Sequence, residues 1–258
     1  MNYLLKSYHE SCKIAFSQYG FKRKKQAFVR VENDVMQNFA LERLRYGRCR
    51  VEFAIIPLCL GIEKEYISGG VYSHYLKQFE PIHGTQLDTW EYDPTSEESM
   101  DACVKEIVRY LTNYLLPLFD RANSCKTALS ELIMVENLFN NYRIESLKIN
   151  GIEDRANINT WIHLDDSSKY YIALKNGDFD FALKSRKALL QQNVNAYNSM
   201  SERGYLTKEG RTRRENAIVK LRDEISRIEC LDESYIHQLI IENEAYSLKN
   251  LKDILRTK

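Results

Sequence analysis

Residues 27–55 read AFVRVENDVMQNFALERLRYGRCRVEFAI, and their apolar positions recur with a period of two. Ala27, Val29 and Val31 share one face, followed by Val35, Phe39 and Leu41, and then by Cys49, Val51, Phe53 and Ile55. Strand side chains alternate between faces, so this spacing predicts three successive strands. Keeping every apolar set on one side of the sheet sets the register, because a one-residue slip turns that set toward water. Pairing Val31 with Val35 leaves Glu32-Asn33-Asp34 as a three-residue loop, and pairing Leu41 with Val51 leaves Arg45-Tyr46-Gly47. Asn33 and Gly47 both tolerate the positive φ that short hairpin loops need. The same register sets Glu42 opposite Arg50, a cross-strand pair worth about 0.2–1 kcal/mol.

On the N-terminal side, Leu5, Tyr8, Cys12, Ala15 and Tyr19 recur at helical spacing and Gly20 provides a stop. Between that stop and the strands stands the basic run Lys22-Arg23-Lys24-Lys25. On the C-terminal side, Ile56 to Cys59 prolongs the third strand past Pro57, which marks an edge or a bulge. Gly61 to Asp93 reads as a long tyrosine-rich loop with one further strand at Thr89 to Tyr92. Thr95 or Ser96 caps a helix whose stripe runs from Met100 through Ile107 to Leu115, with Glu97 and Glu98 at its positive end.

Beyond Pro117 the helical period takes over. Leu129 to Leu138 marks one helix and Tyr171 to Leu174 a short one. Leu183, Leu190, Val194 and Tyr197 mark a long helix ending near Gly204, and Ile218, Leu221, Ile225 and Ile228 form an a/d seam on the next. These two are predicted to pair as an antiparallel hairpin. Two shorter helices follow, one with Ile236, Leu239 and Ile240 and one with Leu248, Leu251 and Leu255. The fragment Ala173 to Leu183 has the order of a tetratricopeptide-like helix pair, but repeat architectures need several copies at a fixed period. The predicted class is α+β: an N-terminal antiparallel β-meander packed by helices in residues 1–118, then an all-helical domain in residues 119–258.

Residues 1 to about 118 resemble the DUF4304 family of bacterial domains of unknown function. The likeness rests on the N-terminal helix, Gly20-Phe21-Lys22-Arg23-Lys24, Phe28, the strand with Val35, Gln37 and Phe39, and the strand ending near Ile55. The resemblance implies a compact α+β fold and a bacterial source. It supplies no catalytic residues and leaves the helical half unaccounted for.

Charge narrows the function classes. The net charge is +1, and cations balance carboxylates at 15 to 16 through residue 120 and 22 to 20 beyond it, which disfavours a broad phosphate-binding surface. The six cysteines lack a Cys-x-x-Cys pair and the chain opens without an apolar leader, so a reducing, cytoplasmic setting is expected. No run of apolar residues is long enough to span a bilayer.

Lys22 to Lys25 and Arg211, Arg213 and Arg214 are candidates for binding an anionic partner. The second group stands near a helix start, where cations oppose the helix dipole. Tyr66, Tyr72 and Tyr75 are candidates for a recognition surface, since tyrosine combines area with a hydrogen bond at low entropy cost. His163 and Asp165 fall on one side of an alternating stretch and are the candidates for acid/base chemistry. His9 and Cys12 lie one helical turn apart, but no second ligand pair accompanies them, so no metal or cofactor is assigned. A Gly-x-Ser-x-Gly elbow, a phosphate-binding Walker loop, a dinucleotide fingerprint and His-Glu-x-x-His are all missing. A non-enzymatic protein-binding role therefore leads, an immunity or antitoxin role being one form of it. Nucleic-acid or nucleotide binding through the two basic groups, and an enzyme built around His163, are the alternatives.

Overall fold

The computed structural model describes residues 3–62, 74–80, 89–149 and 166–255, and it has the α+β architecture. Helix α1 (Tyr3–Phe16) runs into a 3₁₀ turn that ends at Gly20, whose φ of 82° closes the turn in the left-handed region. Four strands follow: β1 (Lys22–Lys24), β2 (Ala27–Glu32), β3 (Val35–Arg43) and β4 (Arg48–Pro57). Two short strands, β5 (His74–Tyr75) and β6 (Trp90–Glu91), both pair with β4, and all the pairings are antiparallel. The described part of Gly61 to Asp93 thus holds two short strands where one is predicted.

The β3–β4 register is the predicted one: Leu41 faces Val51, and Arg50 meets Glu42 at 2.6 Å. Leu44 N–H donates to Arg48 across the Arg45-Tyr46-Gly47 loop, with Tyr46 and Gly47 at φ 60° and 67°. The β2–β3 register is shifted from the prediction. Val31 pairs with Met36 and Glu32 with Val35, leaving the two-residue loop Asn33-Asp34. The reason is that β2 is covered on both faces. Phe28 pairs with Phe39 and lies with Val35, Leu41 and Phe53 in the large core that also holds Leu4, Val104 and Ile107. Ala27 and Val29 face the other way, into a smaller core with Met36, Ile56, Leu58 and Leu251. The alternation of Ala27, Val29 and Val31 therefore marks the second core and not the first.

Helix α2 (Glu97–Tyr110) is capped by Ser96, whose side chain accepts from Ser99 N–H. It continues through a π-helical turn (Leu111–Leu115) into α3 (Leu116–Arg121). Pro117 has no N–H for the Asn113 carbonyl, and the widened turn absorbs that defect without stopping the helix. The boundary drawn at residue 118 thus falls inside α3. Helices α4 (Cys125–Ile149), α5 (Asp166–Asn176), α6 (Phe179–Glu202), α7 (Lys208–Glu229) and α8 (Glu233–Leu255) complete the chain. The last two predicted helices are one continuous helix, α8.

Two polar braces join distant segments. Arg30 donates to Gln37, to the Tyr19 carbonyl and to Asp120, while Gln37 donates to the carbonyls of Phe119 and Ala122 at the end of α3. On the other sheet face, Asn243, Ser247 and Asn250 of α8 bond to the backbone of Leu58 to Ile62. Among the described residues no helix is long and apolar enough to cross a membrane.

Candidate binding surface

Gly177 at φ 75° ends α5, and Asp178 caps α6 by accepting from Phe181 N–H. Helices α6 and α7 then pack antiparallel. Their base is inside the fold: Ala182, Arg186, Ile218, Leu221, Glu224, Ile225 and Ile228 are buried. Arg186 and Glu224 lie 3.1 Å apart there, an ion pair off the line of a hydrogen bond. The Arg186 guanidinium also lies 3.5 Å from the centre of the Tyr170 ring. Removing one partner of such a pair leaves a buried charge and is strongly unfavourable.

From Lys187 to Ala217 no residue is buried. At 1.5 Å per residue the free part of α6 is about 24 Å long, so the hairpin stands out as an arm. Gly204, at φ 66°, turns the chain at the tip, and Tyr205 N–H returns to the Met200 carbonyl, as in a Schellman closure. Thr207 caps α7 by accepting from Gly210 N–H. On this scaffold the tip presents Arg203, Tyr205, Lys208, Arg211 and Arg213 to solvent, with Arg214 half-buried. Tyr205 is 69% exposed. Tyr197 on α6 donates to Glu215 on α7 at 2.6 Å, and that carboxylate raises the Tyr197 pKa.

Lys22, Arg23 and Lys24 form the edge strand β1, and Lys25 sits in its turn at φ 52°. Lysines on an edge strand discourage pairing with another chain. This group and the Arg211, Arg213 and Arg214 group lie on different elements, one at the sheet edge and one at the arm tip. Tyr75 pairs with Glu52 at the edge of β4, with the Arg50 guanidinium 4.5 Å from its ring centre. Tyr66, Tyr72, His163 and Asp165 lie outside the described residues.

His9 is buried between Tyr8 and Phe28 with neither ring nitrogen bonded, and its pKa is lowered first by burial and then by Arg23. Cys12 is buried, and burial raises its thiol pKa. No group of three or more metal-binding side chains occurs among the described residues. An open cleft of about 530 Å³ between α1 and α2 holds Asp101, which accepts from Tyr3 and Ser7.

One group was not anticipated from the sequence. Glu80 accepts from Tyr110, from Tyr114 at 2.7 Å and from Arg109 at 3.1 Å. Its pKa is lowered: burial opposes the charged form, and the three donors together outweigh that cost. The tyrosines lie four residues apart on the α2 helix and its π turn, a spacing visible in the sequence. Their common acceptor comes from 30 residues upstream of Tyr110 and is not.

No family model, curated protein or solved structure matches the chain.

Proposed function

We propose that this chain is a non-enzymatic binding module that presents the tip of the α6–α7 arm to an acidic surface on a partner protein. The observation that carries this reading is the stretch from Lys187 to Ala217, which contains no buried residue yet is built as two long, capped helices. Helices usually form because one face packs against a core, and this half of the hairpin packs α6 on α7 without burying a residue. The tip also breaks local rules. Lys208 and Arg211 oppose the dipole at the start of α7, and Gly210 weakens its first turn. Sequences that break local rules without local gain commonly do so at functional sites.

Charge selects the partner class. Arg203, Lys208, Arg211, Arg213 and Arg214 are interleaved with Glu202, Glu209 and Glu215. With five cations to three carboxylates, that pattern fits an acidic protein surface that also carries a few cations better than a uniform phosphate backbone. The order of helix, Gly20-Phe21-Lys22-Arg23-Lys24 and meander supports placing residues 1 to about 118 with the DUF4304 domains, as the body that carries the arm. An immunity or antitoxin role is one form of this reading, and a toxin gene beside this one would favour it.

The test compares the full chain with R211E/R213E/R214E in affinity capture from the native host over a range of salt, followed by binding measurements on the purified partner. The expected result is an acidic protein released by salt and bound at least about tenfold more weakly by the variant. Equal binding by the variant would overturn the reading. Salt-sensitive retention of RNA or DNA in place of a protein would shift it to nucleic acid.

A further inference from the structure

The longest run of the sequence without Asp, Glu, Lys or Arg is Ala188 to Ser201, fourteen residues on α6. Uncharged runs ordinarily belong to cores. The next clear cases, Phe53 to Ile62 and Tyr110 to Phe119, are mostly buried in and after β4 and across the α2–α3 junction. Between Ala188 and Ser201 no residue is buried. Tyr197 donates to Glu215, so that side of α6 meets α7. At about 100° per residue, the opposite side carries Ala188, Gln191, Gln192 and Asn195, with Asn198 beside them, and all five are exposed. Gln191 donates to Asn195 at 2.8 Å within the helix, which leaves the Gln191 carbonyl and the Asn195 N–H groups for a further partner. Charge brackets this amide strip. Lys184 at its base end and Glu202 at its tip end are exposed on the same side of α6, about five turns apart.

We propose that this side of α6 is a self-association surface, on which a second copy of the chain docks its own α6 antiparallel across a two-fold axis near Asn193. A two-fold contact sets one surface against itself. A charged face then repels its own copy, whereas an amide face both donates and accepts and so complements itself. With the axis at Asn193, Gln191 meets Asn195 of the second copy, and Lys184 meets Glu202 of the second copy at both ends. A parallel pairing would set Lys184 on Lys184 and Glu202 on Glu202, so the bracketing charges select the antiparallel one. The same alignment brings the base end, where Phe181 is 39% exposed, to the tip end, where Tyr205 is 69% exposed. The uncharged strip is about 21 Å long, which makes a small interface and a reversible dimer, with a Kd of about 10–100 μM.

Analytical ultracentrifugation of the full chain from about 1 to 500 μM tests this, with a thiol reductant present so that the exposed Cys230 cannot cross-link two copies. A concentration-dependent monomer–dimer equilibrium is expected. Q191E/N195E places like charges face to face across the axis and is expected to weaken the dimer at least about tenfold. K184E sets two pairs of carboxylates together and is expected to weaken it about fivefold, and the swapped chain K184E/E202K to restore it. All four positions are exposed, and melting curves of the variants confirm that each is folded. A chain that stays monomeric at about 500 μM would overturn the proposal and leave this face to a different partner. A dimer untouched by Q191E/N195E, or one that the charge swap does not restore, would overturn it equally. No acidic partner takes part in the measurement, so its result is separate from that of the arginine variants at the tip.

Discussion

At Gly47 the space for a side chain is absent. A Cβ there would lie 2.3 Å from the Tyr92 carbonyl oxygen, and the backbone is at φ +67°. Gly20 shares the positive φ but has nothing within 4 Å. The two positions separate backbone strain from steric exclusion. Gly20→Ala is expected to cost about 1 kcal/mol from strain alone, and Gly47→Ala about 2–4 kcal/mol because the Tyr92 backbone next to β6 must also move. Urea denaturation of both variants checks this, and equal losses would count against the close approach of β6. The sequence names Gly47 as a loop glycine through the hairpin pattern. It does not reveal the Tyr92 contact, which depends on a segment 45 residues away.

Elements in this chain are joined by polar groups as much as by apolar faces. The junction between α2 and α3 is the clearest case: a π turn places Tyr110 and Tyr114 on the Glu80 carboxylate. The lowered pKa of Glu80 means that the folded state prefers it charged. Its contribution is present above the ordinary glutamate value of 4.5 and is lost as pH falls through the lower folded value. Melting temperature is therefore expected to drop on acidification below pH 4.5, with the drop reduced in Glu80→Gln. An unchanged profile in that variant would show that Glu80 does not couple to folding. The meander shows the same contrast between what a local pattern can and cannot give. Its second hairpin is legible because Leu41, Glu42, Arg50 and Val51 constrain one register twice over. Its first is misread because Ala27, Val29 and Val31 and their neighbours Phe28 and Arg30 are all covered or nearly so, and alternation has no preferred face when both sides are cores.

For the whole molecule, the arm divides parts that fold from parts that reach. Arg186 sits level with Glu224 and Tyr197 with Glu215, so cuts after Gln192 and before Ile218 join points at about the same height. Replacing residues 193–217 by a glycine-rich loop of about four residues is expected to leave the melting temperature within a few degrees, because the segment holds no buried residue. A large loss of stability would mean that the arm serves the fold and not a partner. The sequence by itself determined the α+β class, the helix stops at Gly20 and Gly204, the β3–β4 register and the α6–α7 hairpin. Each of these follows from spacing, capping or turn chemistry within a few residues. Tertiary structure alone decided the second core beneath the sheet, the Glu80 cluster and the lack of any buried residue from Lys187 to Ala217. These depend on which distant segments meet, and side-chain periodicity says that a face is apolar without saying what covers it.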